Sequence, residues 1–123
     1  MAVENVHSSK SFKATASLVA SQYCFVNLDS NGQIILQTTA AGYAVGVLQD
    51  KPGAGDPGFV CGPGDITKVQ CGGNFAAGAK VGSDTAGKAV SVATGAFLGV
   101  ARTAGATNGI AEILFQPQGF VAP

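Results

Sequence analysis

Few residues in this 123-residue chain could do chemistry. The single histidine, His7, sits near the start beside Ser8 and Ser9. Nucleophilic catalysis needs a base held rigidly against its nucleophile, and a polar leader segment holds nothing rigidly. Three cysteines, Cys24, Cys61 and Cys71, lack the CxxC spacing of a zinc site. A Cys61–Cys71 bridge would need an oxidising compartment, and Met1 to Lys10 lacks the apolar core of a secretory signal. We therefore expect three reduced thiols, with Cys24 and Cys71 packed as small hydrophobes.

The segment Gly73-Asn74-Phe75-Ala76-Ala77-Gly78-Ala79-Lys80 approximates a phosphate loop. Ala79 separates Gly78 from Lys80, however, and Val81 stands where serine or threonine is required. Asp29-Ser30-Asn31-Gly32 and Asp84-Thr85-Ala86-Gly87 carry carboxylates in turns, without the third ligand and distal glutamate of a calcium loop. Side-chain bonding to the turn backbone accounts for both aspartates. Glu4 and Glu112 are the only glutamates, and no spacing favours a glycosidase pair. The expectation is a protein that is not an enzyme, with no catalytic residue, no metal and no cofactor.

Composition points the same way. Hydrophobic residues make up 46% and charged residues only 11%, against about 25% in ordinary soluble domains. Seven basic and seven acidic residues cancel, so there is no basic face for nucleic acid. No run reaches the roughly 18 apolar residues of a membrane span. A weakly charged surface is best kept soluble by being covered, which predicts a homo-oligomer.

Strand and turn signals recur along the chain. Phe12, Ala14, Ala16 and Leu18 alternate with polar residues, as in a half-buried strand. Tyr23–Leu28 and Gln33–Thr38 flank an Asn-Gly turn. Further strands are expected at Tyr43–Gln49, Phe59–Cys61, Ile66–Cys71, Ala79–Gly82, Lys88–Ala93, Ala96–Arg102 and Ile110–Phe115. Asp50 to Gly58 reads as an exposed loop. Gly46, inside a strand, signals a bulge or a close backbone neighbour. The whole is an all-β barrel or sandwich, with an extended arm at 1–11, a β domain at 12–115 and a tail at 116–123.

Two stretches nearly repeat. Gly42-Tyr43-Ala44-Val45-Gly46-Val47-Leu48 matches Gly95-Ala96-Phe97-Leu98-Gly99-Val100-Ala101, and Val26–Gly32 is echoed by Val81–Gly87. A repeated supersecondary unit follows, giving two pseudo-repeated halves.

From Phe12 to Phe115 the chain resembles the head-decoration, or capsid cement, proteins of tailed bacteriophages. The likeness is carried by Gly42-Tyr43-Ala44-Val45-Gly46-Val47-Leu48-Gln49-Asp50-Lys51-Pro52, Ile66-Thr67-Lys68-Val69, Ala76-Ala77-Gly78-Ala79-Lys80-Val81-Gly82-Ser83-Asp84 and Gly95-Ala96-Phe97-Leu98-Gly99-Val100-Ala101. It implies a compact, tulip-like β fold, trimers on the exterior of the virion, contacts with the major capsid protein, synthesis in the host cytoplasm and no catalytic residues. The longer polar arm and the three cysteines depart from that family. On this reading the arm residues Ala2, Val3, Glu4, Asn5, Val6 and His7 add as a strand to a sheet edge, and Lys51, Pro52, Asp56 and Pro57 are candidate loop contacts. A carbohydrate- or host-binding β module of a virion fibre is the alternative.

Overall fold

A computed structural model describes residues 10–40, 42–92 and 95–121. These residues form ten strands and, among the described residues, no helix. In chain order the strands are β1 (Lys10–Lys13), β2 (Phe25–Leu28), β3 (Ile34–Leu36), β4 (Gly46–Leu48), β5 (Pro57–Cys61), β6 (Ile66–Gln70), β7 (Lys80–Ser83), β8 (Ala89–Ser91), β9 (Gly95–Ala101) and β10 (Ile110–Val121). They make two antiparallel five-stranded sheets, ordered β1-β5-β4-β2-β3 and β6-β10-β9-β7-β8. Adding five to each label of the first order gives the second, so the expected repeat spans the whole topology.

The duplication reaches individual hydrogen bonds. The Asp29 carboxylate accepts from the amides of Asn31 (2.8 Å) and Gln33 (3.0 Å). Asp84 accepts in the same way from Ala86 (2.8 Å) and Lys88 (2.9 Å). Ala14 N donates to Asp56 O and Cys71 N to Gly109 O, each at 2.9 Å. Isolated parallel bridges, Ala14 to Ile34 and Cys71 to Ala89, join the first strand of each sheet to the last-ordered one. Each half thus curls toward closure, which shields strand edges that would otherwise invite pairing.

Each half also wraps apolar side chains. Ala14, Leu18, Val26, Ile34, Leu48 and Val60 form the first core. The second holds Val69, Cys71, Phe75, Val81, Leu98, Ile113 and Phe115, joined by Phe25, Ala44 and Val47 from the first half. Of the two readings of Gly46, a bulge or a close backbone neighbour, the second holds: an added Cβ would strike the Cys61 carbonyl oxygen and Val60 Cγ1. Its counterpart Gly99 is pressed in the same way against the Leu114 carbonyl.

Several boundaries differ from the expected ones. β1 starts at Lys10, inside the expected arm, and ends at Lys13 instead of continuing to Leu18. Beyond Ala14 the chain turns away: Thr15 N donates to Ile34 O (3.1 Å), and the Thr15 hydroxyl donates to the Asp29 carboxylate (2.6 Å). That bond, with the Gln33 amide, holds the Asp29 carboxyl below its ordinary range. β5 begins at Pro57, so Pro57 and Gly58 belong to the sheet, paired with Lys13 and Phe12. Proline at the first position of a strand forfeits no ladder bond that matters. Finally, residues 116–121 are not a tail. β10 runs on to Val121 and pairs with β9, the register shifting between Phe115 and Gly119. Pro117 lies in that shift, where its missing N–H is tolerated. The arm residues 1–9 lie outside the described residues.

The repeat also supplies a controlled comparison. Gly32 and Gly87 hold the same turn position, both at φ 74. Gly32 is exposed, and a Cβ there would meet nothing within 4 Å. Gly87 is buried against the first half, where a Cβ would lie 2.7 Å from Leu36 Cδ1 and 3.0 Å from the Phe25 carbonyl oxygen. Gly32→Ala should cost about 1–2 kcal/mol, the left-handed penalty alone. Gly87→Ala should cost about 1–3 kcal/mol more, through overpacking. Urea denaturation of both variants reads the difference, and equal losses would show that the turn does not bear on the first half.

Candidate functional site

The two halves meet along a seam, and the polar side chains there are the most organised in the molecule. Phe25 N donates to Gly87 O (2.7 Å), and Gln70 N donates to Tyr23 O (2.9 Å). Gln70 Nε2 donates to Gln22 O (2.6 Å), and Gln22 Nε2 to Gln49 O (3.0 Å). Gln49 Nε2 in turn reaches the Thr67 hydroxyl (2.7 Å) and Val47 O (3.0 Å). Three glutamine amides, each with a flexible stem, thus bind backbone carbonyls at the seam, Gln49 adding the Thr67 hydroxyl across it. Beneath them the Phe25 and Phe115 rings lie 6.2 Å apart, centroid to centroid, tilted at 35°.

Beside this network the seam opens into a pocket of about 270 Å³ lined by Tyr23, Gln49, Ile66, Thr67, Lys68 and Glu112. Lys68 and Glu112 are register partners on β6 and β10. Glu112 forms an ion pair with Arg102. Tyr23 has left-handed backbone, at φ 67.

The residues proposed from the sequence fall elsewhere. Ala2, Val3, Glu4, Asn5, Val6 and His7 lie outside the described residues. Lys51, Asp56 and Pro57 are exposed, and Asp56 and Pro57 flank the β1 edge, where Lys13 pairs with Pro57. Pro52 is buried: its Cγ would lie 2.9 Å from a Cβ on Gly58, and its carbonyl accepts from Leu18 N (2.8 Å). Its ring therefore shapes the loop from inside. The described chain begins in β1 at Lys10, opposite Val60, at the other end of the β1–β5 pair from Pro57. Lys80, at the end of the segment that fails the phosphate-loop pattern, lies over the Phe97 ring at 5.3 Å. Among the described residues no three His, Cys, Asp or Glu side chains cluster as metal ligands would.

The seam pocket was not legible in the sequence. Its six residues are spread from position 23 to 112. One signal was available: aligning the repeats sets Tyr23 against Gly78, and the structure gives both a positive φ, 67 and 86. Their amides donate to Leu48 O and Ala101 O respectively, both at 2.7 Å, which confirms the equivalence.

No protein-family model and no curated protein sequence matches the chain. Among solved structures it is similar to the N base of the head fibre protein gp8.5 of bacteriophage phi29, with a TM-score of 0.67 and 14% identity over 90% of this chain and 97% of that one. The two share a fold.

Two measurements test this account of the seam and the thiols. Phe25→Ala and Phe115→Ala should each cost about 3–5 kcal/mol. In a double-mutant cycle the two should couple by about 0.5–1.5 kcal/mol, the share of a tilted ring pair; zero coupling would remove the rings from the seam. The three cysteines form no disulfide, and Cys24 and Cys71 are buried. Burial pushes the Cys24 thiol up to about 11, with smaller and opposing effects from Lys88 and Asp84, and it raises Cys71 as well. The thiolate is the reactive form. At pH 8 iodoacetamide should therefore modify the half-buried Cys61 first and spare Cys24 and Cys71 until the chain is unfolded. A stoichiometric Cys61–Cys71 bridge in the native protein would overturn this picture.

Proposed function

We propose that this chain is a non-enzymatic structural protein of a phage virion that seats its β body on the outer surface of the capsid, against the major capsid protein. The observation that carries this reading is the fold shared with the phi29 head fibre base over 90% of the chain. The sequence resemblance to capsid cement proteins adds the finer proposal, that docking reinforces the shell. The fibre-base likeness supports a seat on the head exterior equally well, since either role needs a small rigid body held on a repetitive lattice.

Oligomerisation, most simply as a trimer, belongs to the same proposal. On the outward face of the second sheet Ile66, Leu114 and Val100 make one cross-strand row, with Ile66 56% and Val100 38% exposed. Water-facing apolar rows of this kind mark interaction surfaces. The arm is proposed as the tether. It leads into β1, an edge strand, and main-chain addition to a neighbouring edge needs no special side chains. Ordering an arm costs roughly 1–2 kcal/mol per residue, so one arm alone binds weakly. Several arms on one oligomer raise avidity by a factor on the order of 100.

Co-sedimentation with expanded heads that lack the protein is the direct test. The full chain should saturate a fixed number of sites, and deletion of residues 2–9, which leaves β1 whole, should keep a folded oligomer while weakening binding about 100-fold. Undiminished binding would move the anchor to the exposed Lys51, Asp56 and Pro57. Absence of any binding by the full chain would refute the capsid role.

A further inference from the structure

We propose that the seam pocket is a binding site for a single pyranose sugar ring, at the end of the outward row where Ile66 borders it. Two independent observations carry it. The first is the lining. About 270 Å³ is below the usual 300–1,000 Å³ of drug-sized sites, and suits one ring. Its walls supply an aromatic ring and an aliphatic side chain, Tyr23 and Ile66, together with an amide, a hydroxyl, an ammonium and a carboxylate from Gln49, Thr67, Lys68 and Glu112. A pyranose has an apolar C–H face, which packs on an aromatic ring, and a rim of hydroxyls that both donate and accept. Few other small ligands use all of these groups at once. An anion would need the cationic side chain without the carboxylate beside it, and an apolar molecule would leave the Lys68 ammonium without a polar partner in the pocket.

The second observation is backbone strain at the pocket wall. Tyr23 sits at φ 67, a conformation uncommon for any residue but glycine. The same chain has the strain-free solution at the equivalent place in its other half, Gly78 at φ 86, with the same 2.7 Å amide bond to the end of the neighbouring strand. The turn itself therefore asks for glycine. A phenol side chain kept there despite the cost marks a site where the side chain does something the fold does not require. The surrounding groups are also placed for contact. Gln49 is fixed by its bonds to Thr67 and Val47 O, so the pocket floor is set before any ligand arrives. Among the described residues Glu112 is ion-paired with Arg102 and Lys68 with none, so the Lys68 ammonium is available to a ring hydroxyl.

The test is a titration of the isotopically labelled full chain, followed by amide chemical shifts, with methyl α-glucopyranoside, N-acetylglucosamine and N-acetylgalactosamine as probes. One of the three should shift amides at Tyr23, Gln49, Ile66–Lys68 and Glu112, saturating with a Kd on the order of 1 mM, as expected for a dozen heavy atoms. Tyr23→Gly should fold with an unchanged or higher unfolding temperature, its strain relieved, and should bind about tenfold or more weakly. Lys68→Ala, on an exposed strand face, should weaken binding without altering the fold. The proposal is overturned if none of the three sugars produces saturable shifts at these residues, or if binding persists unchanged in both variants. Capsid co-sedimentation is blind to this result, so the pocket can fail while the capsid role stands.

Discussion

Everything in this molecule depends on how its two halves are clamped. Each half is small, and a five-stranded sheet of short strands closes around too few side chains to be secure alone. The Phe25–Phe115 contact, 6.2 Å between centroids, lies where the first half lends Phe25, Ala44 and Val47 to the second half's core. Those three residues tie the first half to the second half's core. The glutamines at 22 and 70 bond backbone carbonyls at the seam, and Gln49 bonds the Thr67 hydroxyl across it, so polar groups there are partnered as the rings are buried.

The clamp is not reciprocal, and from this come the features that distinguish the halves. Val47 is fully buried under the second half, while its counterpart Val100 is 38% exposed. Gly87 is packed against the first half, while Gly32, in an identical turn, faces solvent. A stacking that used both halves equivalently would have covered both valines. Instead the first half receives and the second half covers, leaving the Ile66–Leu114–Val100 row outward and opening the pocket beside Tyr23. Repeats of a single supersecondary unit thus acquire different surfaces without different folds.

Strain and burial are concentrated at the same seam. Tyr23 holds a conformation its repeat partner gives to glycine, and both neighbouring amides bind across it, Tyr23 N to Leu48 O and Gln70 N to Tyr23 O. The bonds fix the backbone; the side chain has to accommodate. Cys24, the next residue, is buried beside Asp84 and Lys88 of the other half, and its thiol is correspondingly reluctant to ionise.

The sequence by itself determined the all-β class, most strands, the two Asp-led turns, the crowding at Gly46 and the duplication. These are local: alternation of period two, turn chemistry and a glycine inside an apolar run are written in consecutive residues. What it misjudged were endings. Pro57 lay in an expected loop and Pro117 in an expected tail, yet one opens β5 and the other lies in the register shift of β10, positions where a missing N–H is tolerated. Leu18 read as strand because it alternates, whereas Ala14 is drawn across to Ile34 and the chain turns. Only the tertiary structure decided which half covers the other, which hydrophobic residues remain outside, and that Tyr23, Gln49, Lys68 and Glu112 share one pocket. The physical reason is that these depend on contacts between residues far apart in the chain, whose energy lies in the docking of two similar bodies, and nothing in either body's own pattern says which will be uppermost.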